Sequence, residues 1–132
     1  MMTEPSRALR ILLVEDDAGV REVLTQMLAS LGHSVLAAAG GREGLARLEA
    51  GDFVDLVVTD LKMPGMTGWD VVKTVKAKWP HLRIGIVTGT PELLRERREP
   101  VDLVIEKPVR LEALRQAITR IQVTRGQEGS RP

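Results

Sequence analysis

Four short segments carry residue types able to do chemistry together. "LVEDDAG" (13–19) sets Glu15, Asp16 and Asp17 side by side after an apolar run, and "LVVTDLKMPGMTGWD" (56–70) ends a second apolar run on Asp60. "IVTGT" (86–90) holds Thr88, and "VIEKPV" (104–109) holds Lys107 before Pro108. Brought together, Glu15, Asp16 and Asp60 would repel one another, raising their pKa values or forcing the segments apart. Lys107 offsets one of those charges and a divalent cation offsets two. Oxygen-only ligands select a hard ion, and Mg2+ suits a few carboxylates that leave room for water and a phosphate. A pocket so neutralised can take a phosphoryl group, whose oxygens need a cation, an ammonium and a hydroxyl donor, here from Thr88. Asp60 is then the candidate nucleophile, forming an aspartyl phosphate. Asp17 is better placed to cap a following helix than to join the pocket.

These groups meet only if the elements before them are strands lying side by side. Apolar, β-branched runs at 10–15, 34–38, 55–60, 83–88 and 102–107 read as strands, and four of the five are apolar at consecutive positions, the pattern of burial on both faces. Between them lie segments of helical period. In 17–31, Val20, Val23, Leu24, Met27, Leu28 and Leu31 recur at steps of three and four, with Gly32 as the stop. Further helices are expected at about 41–50, 68–79 and 110–123, with a short one at 91–99 opened by Pro91. Strands alternating with helices give a parallel α/β sheet with right-handed crossovers, which binds ligands beyond the carboxyl ends of its strands. Glu15, Asp60, Thr88 and Lys107 all sit at such ends.

The totals agree with one domain. The chain has 132 residues, 43% hydrophobic and 28% charged, with a formal net charge of +1. Its near-neutral balance and three aromatic residues (Phe53, Trp69, Trp79) offer no platform for direct nucleic-acid binding. No cysteine is present, which excludes disulfides and thiolate chemistry. No apolar run approaches the length of a membrane span and the start lacks an export signal, so a cytoplasmic protein without membrane insertion is expected. Residues 1–7 and 124–132 are polar and read as disordered or flexible ends around a folded unit at 8–123. His33 and His81 lack ligand spacing and are not read as catalytic. Trp69 and Trp79 are expected to pack in or beside the third helix, and the arginine-rich 95–99 to face solvent.

Over residues 9–123 the sequence resembles the receiver domain of bacterial two-component response regulators, the chemotaxis-regulator-like type. "ILLVEDD" is similar to the family's first strand and acidic pair, "DLKMPGMTG" to its phosphoacceptor loop, "IVTG" to its fourth strand, and "EKP" to its fifth. The resemblance implies a flavodoxin-like (βα)5 sandwich with strand order 2-1-3-4-5. It also implies Asp60 as phosphoacceptor, with Thr88 and Lys107 contacting the phosphoryl group. Mg2+ would be held by Glu15, Asp16, Asp60 and the backbone carbonyl of Lys62. A cis peptide at Lys107-Pro108 is a candidate. The donor would be a phosphohistidine of a histidine kinase or histidine phosphotransfer domain, and the output a downstream protein target. The domain would catalyse only its own phosphorylation and slow autodephosphorylation.

Three positions depart from the family pattern. Val104 stands where an aromatic switch residue is usual. The span between Thr88 and Lys107 is short, so the fourth helix is expected to be shortened. Lys62 and Thr90 occupy positions whose side chains tune autodephosphorylation in the family. A pseudo-receiver that binds partners without phosphorylation is the alternative, opposed by the intact acids, Thr88 and Lys107. A haloacid-dehalogenase-type phosphatase would want a second aspartate where Lys62 stands, and no G-x-G-x-x-G follows the first strand to suggest a dinucleotide site.

Overall fold

The computed structural model describes residues 7–96 and 99–129, with side chains described up to 95 and across 99–122. Five strands, β1 (Arg10–Val14), β2 (Ser34–Ala38), β3 (Leu56–Thr59), β4 (Arg83–Thr88) and β5 (Leu103–Glu106), form one parallel sheet of order β2-β1-β3-β4-β5. Four α-helices alternate with them among the described residues: α1 (Ala18–Ser30), α2 (Gly41–Glu49), α3 (Gly68–Lys78) and α4 (Leu111–Gly129). Pro91–Glu96 forms a 3-10 turn in the segment where a shortened fourth helix was expected. Arg97 and Arg98, part of the expected solvent-facing arginine run, lie outside the described residues, as do 1–6 and 130–132 of the expected loose ends.

Successive strand residues point to opposite faces, so a fully apolar strand feeds two cores. Ile11, Leu13, Leu56, Val58 and Val87 pack with Leu24 and Leu28 of α1 and Leu114, Ile118 and Ile121 of α4. Leu12, Val14, Val57, Ile84 and Ile86 pack with Leu48 of α2 and Val71, Val72 and Val75 of α3 on the other side. The three central strands are buried nearly throughout, whereas the edge strands β2 and β5 are partly exposed because each lacks one neighbour.

Helix ends follow local chemistry. Asp17 caps α1 by accepting from Val20 N–H at 2.9 Å, and Gly32 leaves the helix at φ 96°, a conformation costly for any residue with a Cβ. The end of α4 corrects the sequence reading. Its backbone stays helical to Gly129, beyond the expected stop at 123 and through Gly126. A glycine inside a helix costs only about 1 kcal/mol, too little to end one by itself.

Candidate functional site

Parallel register brings the candidate residues to one end of the sheet. Val14 pairs with Thr59, so Glu15 and Asp60 leave their strands at the same level, and Asp60 N–H still donates to Val14 O at 3.0 Å. Across β4 and β5, Thr88 pairs with Glu106, and Lys107 N–H donates to Thr88 O at 2.8 Å. The Lys107-Pro108 peptide is cis, as the resemblance suggested.

Lys107 is the hub. Its Nζ donates to Glu15 Oε1 at 2.8 Å and to Asp60 Oδ2 at 3.0 Å. Asp60 Oδ1 accepts from Leu61 N–H at 2.7 Å, which fixes the rotamer while leaving lone pairs on both oxygens. Glu15 is 1% exposed, and its Oε2 accepts from Asp17 N–H at 3.1 Å. Burial pushes the Glu15 carboxyl above its ordinary 4.5, against the opposing pull of Lys107 and the Asp17 amide. For Lys107, burial works against the ammonium, but hydrogen bonds to Glu15 and Asp60 outweigh it and raise its pKa.

Glu15, Asp16 and Asp60 each offer a carboxylate oxygen within 4.8 Å of the others. Three carboxylates face one ammonium, so the pocket carries an excess of negative charge that a divalent cation would cancel. The donors are all oxygen, and Asp16 is exposed while Glu15 and Asp60 are buried, so the cluster opens to solvent on one side. That set fits a hard ion that keeps several waters.

Two further expected site residues lie at the end of β4 and in the loop after β3. Thr88 is fully buried at the end of β4, and its Oγ1 accepts from Thr90 N–H at 3.0 Å and lies 3.1 Å from Thr90 Oγ1. Lys62 is exposed in the loop after Asp60. That loop turns tightly into α3: a Cβ on Gly68 would sit 2.1 Å from Asp60 O, so only glycine lets the helix start against the aspartate's own carbonyl. Thr67 and Asp70 then close a capping box at 3.0 and 3.2 Å.

Sequence reasoning passed over Arg21. Its Nη1 donates to Glu15 O at 2.8 Å, holding the carbonyl that leaves the sheet beside the acidic pair. An arginine one turn into the helix that follows the acids was the available signal. His33 is buried, and its Nδ1 accepts from Leu9 N–H at 3.0 Å.

Fold and pocket together define a flavodoxin-like α/β domain whose strand ends gather three acids and a lysine. The chain belongs to the response regulator receiver domain family, whose profile matches residues 11–119. It is 32% identical over 119 residues to the chemotaxis protein CheY of Pseudomonas aeruginosa, covering 86% of this chain and 95% of that one. A cyclic di-GMP phosphodiesterase of Thermotoga maritima is 38% identical over 112 residues, which is 83% of this chain and 30% of that protein. The chain thus spans about a third or less of the longer relatives it matches. Among solved structures, the response regulator TrrA of Thermotoga maritima in complex with Mg(2+)-BeF superposes with a TM-score of 0.76 at 27% identity, covering 84% of this chain and 96% of that one.

Proposed function

We propose that this receiver domain accepts a phosphoryl group on Asp60 from a phosphohistidine of a histidine kinase or phosphotransfer domain, and that the modified state changes its contacts with a downstream protein in the cytoplasm. The observation that carries this reading is the Lys107 ammonium bridging Glu15 and Asp60 beside Asp16. A structural ion pair would need one acid for one lysine. Three acids around one lysine make a pocket that gains from further positive charge and from a group such a charge can hold.

In the reaction, a carboxylate oxygen of Asp60 forms a bond to phosphorus while the phosphorus–nitrogen bond of the donor breaks. The imidazole leaves with the electron pair. Lys107 lies within reach of Asp60 Oδ2 and supplies an ammonium for the phosphoryl oxygens. Thr88 supplies a hydroxyl from the neighbouring strand end. Glu15, Asp16, Asp60 and the Lys62 carbonyl would hold Mg2+, which when bound neutralises the charge developing on the transferred group. Leu61 N–H keeps the Asp60 carboxylate oriented throughout.

The complete acid–lysine pocket favours this reading over that of a binding module that acts without phosphorylation. Incubation with acetyl phosphate and Mg2+ tests it. The expected result is a phosphoryl mass gain, stable in acid and labile in base, that Asp60→Asn abolishes. No gain with donor and metal both present would overturn the proposal.

A further inference from the structure

The side chain of Trp69, in the first turn of α3, makes a contact that the phosphoryl chemistry does not call for. The residue is 9% exposed, and its indole N–H donates to the carbonyl of Leu93 at 3.1 Å. A buried indole needs an acceptor, and this one is taken from the 3-10 turn Pro91–Glu96; Trp69 and Leu93 line a cavity of about 310 Å3 together with Leu61, Lys62 and Thr67. From Leu93 the hydrogen bonds continue inward. Leu93 N–H donates to Thr90 O at 3.0 Å, and Thr90 N–H donates to Thr88 Oγ1 at 3.0 Å. An unbroken path therefore runs from α3 through the turn to the hydroxyl at the end of β4.

We propose that Trp69 is a positioning residue for Thr88: by anchoring the turn, it holds Thr90 where it orients the Thr88 hydroxyl, and the anchor responds when Asp60 is phosphorylated. The first half stands on geometry alone; the second rests on the phosphoacceptor reading. A 3-10 turn has poorer hydrogen-bond geometry than an α-helix, and one of six residues leans on outside contacts. Leu93 and Leu94 pack partly against the core, and the indole supplies the polar tie. The Thr88 hydroxyl is already engaged by Thr90, through the amide and through the Oγ1 3.1 Å away. A phosphoryl group that draws on this hydroxyl competes with its contacts to Thr90, and any shift of Thr90 pulls on Leu93 and so on the indole.

Two measurements on the full chain test this. Hydrogen exchange followed by mass spectrometry reads the turn without phosphorylation. Trp69→Phe keeps a ring but loses the donor, and should raise exchange in peptides covering 91–96 roughly fivefold, as expected for one lost hydrogen bond. Trp79→Phe, at the other end of α3, should leave it unchanged. Equal exchange in Trp69→Phe and wild type, or an equal rise in Trp79→Phe, would overturn the positioning role. In the Trp79→Phe protein Trp69 is the sole indole, and its emission should change in proportion to the phosphoryl mass gain from acetyl phosphate and Mg2+. At equal phosphorylated fraction, Thr88→Val should lose most of that change. Full mass gain with unmoved emission, or an undiminished change in Thr88→Val, would overturn the coupling. Absence of any mass gain would instead count against Asp60 as acceptor, and the exchange measurement would still judge the anchor.

Discussion

Lys107 stands between two carboxylates that would otherwise face each other from β1 and β3. Removing one member of a buried charged group leaves the others uncompensated, at about 3–5 kcal/mol for fully enclosed pairs. The Lys107 side chain is 21% exposed, and solvent softens the loss, so Lys107→Ala should destabilise the metal-free protein by roughly 2 kcal/mol. It also leaves three acids with no cation among them. Mg2+ should then raise the thermal midpoint of Lys107→Ala by more than that of wild type, since a ligand stabilises in proportion to how tightly the native state binds it. Equal shifts in a thermal melt with and without Mg2+ would contradict the charge balance inferred for the pocket. The acids, the lysine and the capping role of Asp17 were legible from residue type, because charge at a strand end is unusual enough to signal purpose. The packing of Trp69 was legible too, but the carbonyls that Arg21 and Trp69 bind were not. Both donate to backbone carbonyls, and since every residue has one, side-chain identity says nothing about which carbonyl is chosen.

Among the elements, the entry of β1 and the turn from α1 to β2 are joined by the bond from Leu9 N–H to His33 Nδ1. Burial lowers the His33 pKa below its ordinary 6.5. The native state therefore binds fewer protons than the unfolded chain around that pH, and the contribution of His33 is present above 6.5 and lost as acidification protonates the ring. Protonation also turns the acceptor into a donor facing another donor. Urea midpoints should fall as the pH is lowered from about 7.5 to about 5.5, and His33→Asn, which keeps an acceptor without titrating, should flatten that fall. An unchanged slope in the variant would assign the pH response to other groups. The elements themselves were the most readable part of the chain. Strands flanked by layers of helix must be apolar on both faces, and the cap at Asp17 is chosen by a short-range hydrogen bond. The end of α4 was misjudged because 124–132 is polar and rich in residues that favour loops, while a helix loses little by passing through Gly126.

For the whole molecule, sheet order decides where chemistry is possible. Placing β1 and β3 side by side, with β4 and β5 beyond, sets four strand ends in a row, and parallel direction puts them all at one edge of the sheet. The two cores, one against α1 and α4 and the other against α2 and α3, hold that edge rigid from both faces. A rigid edge can keep like charges close that a looser fold would let drift apart. The strand order followed from the likeness to a known family rather than from the strand pattern, since five alternating β and α segments permit more than one parallel order. Site assignment is the most direct test of the central claim. After exposure to acetyl phosphate and Mg2+, borohydride reduction converts an aspartyl phosphate to homoserine, which peptide mapping can place. Homoserine at position 60 alone, and none when Mg2+ is withheld, is the expected result. Homoserine at another aspartate, or formation at position 60 that ignores the metal, would contradict a pocket in which Asp60 is the nucleophile and its acidic neighbours hold the ion.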